Sequence, residues 1–223
     1  MGNKLTNSLI GNFLYVFLSV ITKTCKFEIS GLDRLQIVLE SGNPIIGTSW
    51  HGMTMMVVGS MCNYVDIKSF VTIVPDDYRG DILEIFANKI GIYPTKVNLA
   101  GDTSLSLSRK MIGIIREITS GRNFLIHPDG PAGPAYVVKP GLTAIAQKTG
   151  ATIVPFGCYC RNAYIRHRWD RYTFPYPYSK VHVHIGEPFT IPKSLSDLTE
   201  TNHQLEDILN RVSAQAAANY YEQ

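Results

Sequence analysis

The sequence predicts an α/β domain in which strands and helices stack as layers. Short apolar runs with strand character alternate with amphipathic helical patterns along the chain. The segments richest in histidine, glycine and proline fall directly after predicted strands, where α/β folds gather their ligands. Hydrophobic residues make up 45% of 223 residues, enough for the core of one domain with a short appendage.

The elements follow in order. Lys26–Ser30 alternates as a strand, and Gly31–Glu40 reads as a short helix ending at Ser41 and Gly42. Pro44–Trp50 is a buried strand, and His51–Asn63 a helix that starts at its end. Ser69–Val74 is a strand, and Arg79–Ile90 a helix stopped by Gly91. Asp102 or Thr103 can cap a helix running to Ile118, with Leu107, Met111, Ile114 and Ile118 on one face. Asn123–Ile126 is a strand, His127–Pro140 a loop and Leu142–Lys148 a helix stopped by Gly150. Thr152–Tyr159 and Lys180–Ile185 are strands. A last helix starts near Asn202, with Leu205, Ile208, Leu209, Val212 and Ala216 as its apolar stripe.

Residues 1–25 stand apart from the domain at 26–223. The run Leu9–Ile21 is apolar but broken by Gly11, Asn12 and Ser19, and Lys4, Lys23 and Lys26 flank it. It falls short of the ~20 apolar residues of a membrane span. We expect a helix lying in a membrane interface, the alternative being a helix packed on the domain's own sheet. Charged residues are only 17% of the chain, in keeping with a surface that partly meets lipid or equally with a well-buried α/β enzyme. The net charge of +3 is too small to imply nucleic acid, yet suits an anionic membrane surface. Cys25, Cys62, Cys158 and Cys160 fit no zinc or CxxC spacing, so buried free thiols in a reducing compartment are expected. The expected location is peripheral, at the cytoplasmic face of a membrane.

Three segments can carry chemistry. Trp50-His51-Gly52 places a histidine at a strand-to-helix junction, where a near-neutral pKa suits a general base. The structural alternative is a histidine that caps the helix or is hydrogen-bonded in the core. In His127–Pro134 (HPDGPAGP), three prolines and two glycines fix a loop that presents Asp129, or else a rigid structural turn. In Arg161–Arg171 (RNAYIRHRWDR), four arginines with Trp169 suit phosphate groups and a membrane interface, or else form a solvated charged loop. His182 and His184 share one strand face without an evident third metal ligand, so an ordinary strand face is the reading, with no metal assigned.

HPDGPAGP, KPGLTAIAQKTGATIVPFG and RHRWDRYTFPYPYSKVHVHIGEP, together with GLDRL at Gly31–Leu35, WHG at Trp50–Gly52 and RGD at Arg79–Asp81, resemble a bacterial family of uncharacterised lysophospholipid-acyltransferase-like proteins. That family lies within the glycerol-3-phosphate and acylglycerol-phosphate acyltransferase superfamily. The resemblance runs from about Phe27 to Pro192. It implies a central, mainly parallel sheet flanked by helices, and acyl transfer from a thioester, acyl-CoA or acyl-carrier protein, to a lipid hydroxyl, with no bound cofactor.

It further implies that His51 is the catalytic histidine. Asp129, Gly130 and Pro131 would form the acceptor-binding motif, and Ile153-Val154-Pro155 the strand that lines the acyl site. Arg79 or Lys96 would replace the arginine for the acceptor phosphate. Arg79, Lys139, Arg166 and Arg168 are the candidate phosphate ligands. Two departures stand out. The acid expected after four intervening residues falls on Met56, leaving Asp129, Asp76 and Asp77 as substitutes. Pro94–Leu99 replaces an Arg-Gly-Ser-rich run. A non-catalytic lipid-binding protein on the same fold, favoured by Met56, is the rival. A hydrolase is a weaker one, because no Gly-x-Ser-x-Gly elbow is present.

Overall fold

A computed structural model of the chain describes residues 4–98 and 104–222. Nine strands and seven α-helices are named among them: α1 (Lys4–Thr24), β1 (Lys26–Ser30), α2 (Leu32–Glu40), β2 (Ile45–Thr48), α3 (Thr54–Tyr64), β3 (Phe70–Pro75), α4 (Tyr78–Ile90), β4 (Tyr93–Val97), α5 (Ser104–Thr119), β5 (Asn123–Ile126), α6 (Gly141–Thr149), β6 (Thr152–Tyr159), β7 (Ala163–Ile165), β8 (Thr173–Pro175), β9 (Lys180–Ile185) and α7 (Thr199–Glu222). Seven strands form one sheet in the order β1-β9-β6-β2-β5-β3-β4, and β7 pairs with β8 as a separate hairpin. Within the sheet β6 and β9 run antiparallel, and the other neighbours run parallel. The architecture is therefore α/β with a central, mainly parallel sheet.

Parallel strands buried on both faces must be apolar along their length. β2 is buried at every position, and β6 from Ile153 to Cys158. One core packs α3 and α1 residues such as Met55, Met61, Leu18 and Ile21 against Phe70, Phe156 and Val183. The other face holds Ile114 and Ile118 of α5, Leu142 of α6, and Leu205 and Leu209 of α7 against Ile46, Phe124 and Ile153. Helix ends follow local chemistry. The Asp77 carboxylate accepts the Arg79 and Gly80 N–H groups at the start of α4, and Gly91 ends that helix at φ 96°.

Several expectations shift. The helix from His51 begins as a 3-10 turn, His51–Met53, before α3. β4 was not expected: Pro94 and Lys96 mask it, and both suit the sheet edge that β4 occupies. β7 and β8 lie inside what reads as a basic loop and the aromatic stretch after it. The capping position for α5, Asp102 or Thr103, and Leu99 lie outside the described residues.

α1 packs chiefly on α3 and α4 rather than on the sheet. Asn7, Gly11, Leu18 and Ile21 face inward, while Leu5, Leu9, Phe13, Val16 and Val20 form an exposed apolar stripe on the opposite side. Its 21 residues are long and apolar enough to cross a membrane by length and composition.

Candidate active site

The sheet register brings the first two segments together. β2 and β5 are parallel neighbours, with Thr48 opposite Ile126. Their carboxyl ends therefore deliver His51 and the 127–134 loop to one place. β6 flanks β2 on the other side, but its pairing with β2 ends at Thr48–Pro155. Phe156–Tyr159 runs on past β2 against β9 and leads into the β7–β8 hairpin. The hairpin's connection, residues 166–172, folds back over His51.

His51 is held from two directions. Its backbone N–H donates to the Asp129 carboxylate, at 3.1 and 3.3 Å to the two oxygens. Its ring Nδ1 lies 2.9 Å from Asp170 Oδ2. A carboxylate only accepts, so Nδ1 carries the proton and Nε2 keeps its lone pair. The Asp170 side chain has no solvent exposure, and Arg168 donates to the same oxygen at 2.8 Å. Trp169 and Tyr172 stand with ring centroids 5.5 Å from the His51 ring, and His127 with its centroid 5.6 Å away.

Electrostatics follow from burial. Desolvation pushes the His51 pKa below its ordinary value, against the opposing pull of Asp170. His127 is driven down to about 3 by burial and by the neighbouring His51. It is thus a neutral strut. Its Nδ1 donates to the Ser49 carbonyl at 3.0 Å, and Nε2 faces Thr54 Oγ1 at 3.0 Å. Burial raises Asp129 to about 7, only partly offset by the His51 N–H.

A cavity of about 230 Å³ opens beside this cluster, lined by Met53, Met56, Tyr136, Cys158, Cys160 and Asp170 among others. Met56 is thus a wall of this mixed cavity, not a partner of His51. Burial raises the Cys158 and Cys160 thiols, Cys160 to about 11, so both stay protonated and are poor nucleophiles.

The acid beside the histidine ring is Asp170, which sequence reasoning missed. Asp129, Asp76 and Asp77 were the substitutes considered, yet Asp129 holds the His51 backbone, Asp77 caps α4, and Asp76 pairs with Lys110. The available signal was a lone carboxylate among four arginines in RNAYIRHRWDR.

The other candidates are placed as follows. Gly130 adopts φ 65°, with the Lys139 side chain lying over it, so Gly130, Pro131 and Lys139 share one loop beside Asp129. Arg168 binds Asp170, and Arg166 is exposed on the strap, the connection at residues 166–172. Arg79 is engaged by the Asp77 carboxylate and Lys96 by Asp81 and Glu84, so both cations are already paired near α4. His182 and His184 both contact Ser30 Oγ, at 3.2 and 2.7 Å.

No protein-family model matches the chain. An uncharacterised protein of Rickettsia prowazekii (strain Madrid E) is 24% identical over 208 residues, spanning 87% of this chain and 91% of that protein. Among solved structures, the 1-acyl-sn-glycerophosphate (LPA) acyltransferase PlsC from Thermotoga maritima matches with a TM-score of 0.60 at 19% identity, over 96% of this chain and 80% of that one. The two chains share a fold. In this chain a histidine, His51, stands at the end of a central strand, and the carboxylate beside its ring arrives from the hairpin after β6.

Proposed function

We propose that the chain is an acyltransferase that works at a membrane surface. It moves a fatty acyl group from acyl-CoA or acyl-carrier protein to a hydroxyl of a lysophospholipid or related lipid. The 2.9 Å contact between His51 Nδ1 and Asp170 Oδ2 carries this reading, because it fixes the tautomer a general base needs. The shared fold with an acyltransferase supports it.

In this reading the acceptor O–H gives its proton to His51 Nε2 as its oxygen attacks the thioester carbonyl carbon. The tetrahedral oxyanion is met by backbone N–H groups near Gly52 or in the 130–133 loop. Its collapse breaks the C–S bond, and the departing thiolate takes the proton back from the imidazolium. Asp170 orients the ring and stabilises its charged form without itself gaining the proton. The cavity lined by Met53 and Met56 suits the apolar acyl chain. Lys139 and the strap arginines are the nearest cations for a phosphate on either substrate. The exposed apolar stripe of α1 supports a peripheral location at the cytoplasmic face of the membrane.

A non-catalytic lipid binder was favoured by the absence of an acid at Met56, and Asp170 removes that argument. The test is incubation with a labelled acyl thioester and a panel of lysolipids. Labelled acyl lipid is the expected product. Free fatty acid alone would make the protein a hydrolase, and no turnover across the panel would overturn the proposal.

A further inference from the structure

The chain's charge is unevenly distributed. Residues 4–27 and 161–179 together hold seven Lys or Arg and one Asp or Glu, although the whole chain is only +3. The remainder is therefore net negative. The single carboxylate, Asp170, is buried against His51 and Arg168 and does not offset the surface charge.

The fold places these two segments side by side. Phe174 of β8 meets Phe17 of α1 edge to face, with ring centroids 5.8 Å apart. Phe17 in turn stacks on Phe13 of the exposed stripe. The Tyr178 N–H donates to Thr24 Oγ1 at 3.4 Å, and the Cys25 thiol to the Tyr176 carbonyl at 3.3 Å. On the hairpin side Tyr164, Tyr176 and Tyr178 are exposed. The strap adds an open recess of about 720 Å³ whose lining includes Ile165, Trp169 and the three arginines Arg166, Arg168 and Arg171.

We propose that the β7–β8 hairpin and its strap form a second lipid-contact surface, which reads the phosphates of an anionic bilayer while the α1 stripe enters the apolar layer. The inference rests on the membrane location in the reading above. Charge complementarity selects this partner: arginines pair with phosphate oxygens, tyrosines carry an apolar body and a polar tip into the headgroup layer, and the two segments themselves hold no exposed carboxylate. Each basic residue at an anionic leaflet raises partitioning by about fivefold. Since Trp169 and Asp170 belong to the same strap, this contact sets the His51 site at headgroup depth, where a lysolipid hydroxyl lies.

The full-length chain is tested for co-flotation with phosphatidylcholine vesicles and with vesicles that also contain phosphatidylglycerol. The wild type binds the anionic vesicles more tightly, and 0.5 M salt, which shortens the screening length to about 4 Å, removes most of the difference. Arg161→Gln with Arg166→Gln lowers anionic-vesicle binding by about 25-fold, two charges at fivefold each, and leaves neutral-vesicle binding unchanged. Tyr176→Ser with Tyr178→Ser, which keeps every charge, lowers binding to both vesicle types. Equal binding of wild type to both vesicles, or an arginine variant that binds like wild type, overturns the inference. So does binding of single-stranded RNA with equal strength and the same arginine dependence. Because flotation needs no turnover, a protein that is inactive yet passes these tests would sink acyl transfer and leave the lipid surface standing.

Discussion

A methyl group on Gly52 would overlap the carbonyl oxygen of Asp170. The residue after the candidate base is therefore glycine because the strap carrying its acid partner rests on it. The Trp169 ring uses a second such gap, since a Cβ on Gly133 would stand 2.7 Å from it. Gly52→Ala should push the strap off His51 and cost about 1–3 kcal/mol of stability through overpacking. Acyl transfer should fall with it, as read by denaturant melts and turnover on the same samples. A Gly52→Ala protein with full activity would show that the seating of Asp170 is irrelevant.

Asp170→Asn keeps the shape but reverses the hydrogen-bonding preference at Nδ1. Turnover should fall on the order of 10²–10⁴-fold while substrate KM changes little. The carboxylate raises the His51 pKa against burial, so its removal should move the acid limb of the pH profile to still lower pH. A limb that stays in place would mean that Asp170 does not act on His51.

His51→Ala should lower acyl transfer by about 10²–10⁴-fold, the contribution of a general base. Asp170 then keeps only Arg168 as its partner, at a cost of about 1–3 kcal/mol. The far-ultraviolet circular dichroism and vesicle binding should remain those of the wild type. Because burial lowers the His51 pKa, its unfolded form binds a proton more readily than its folded form. That contribution to stability is present above the ordinary histidine range and fades as pH falls through the folded pKa.

Met56→Asp tests the position at which the resemblance read from sequence expects the acid. Met56 is 2% exposed and walls the cavity. With Asp170 already at Nδ1, a second carboxylate finds no partner and stays buried, so the variant should melt earlier and gain no activity. A rise in turnover would count against Asp170 as the working acid.

Asp129 should reveal itself through pH. Its folded carboxyl holds a proton up to about pH 7, whereas an unfolded one releases it near 4. The folded state thus binds more protons across that window, and this contribution to stability is lost as pH rises through about 7. Asp129→Asn stays neutral and can still accept from the His51 N–H. The variant should gain on the wild type in melting temperature from pH 5 to pH 8. Parallel melting curves over that range would place the charged form of Asp129 comfortably in the fold.

The layered architecture was legible because buried parallel strands must be apolar and the helices carry clear stripes, as with Leu205 and Leu209. His51 and the Asp129 loop were legible because each follows its strand directly. Asp170 was not. It reaches His51 only through the register of β6 past β2 and the fold-back of the hairpin, and neither leaves a local pattern. β4 was hidden for a related reason: an edge strand needs little hydrophobicity, so Pro94 and Lys96 read as loop. The α1 helix packs through Gly11 and Leu18 on α3 and α4, not on the sheet as one of the two sequence readings had it, and it is bare along Leu9 and Phe13.

His51 and Asp170 are separated by 119 positions, with most of the sheet between them. During synthesis, a chain that has emerged only as far as α6 already contains the histidine and the Asp129 loop, but it has no acid for the ring. Assembly of the His51–Asp170 pair therefore becomes a late event in the life of each molecule, after the long-range closure that is slowest to form. In a refolding experiment, helical signal should return before turnover does. A protease cut within the strap should silence the enzyme while leaving the sheet intact. The site is thus left incomplete until the hairpin after β6 has been laid across it.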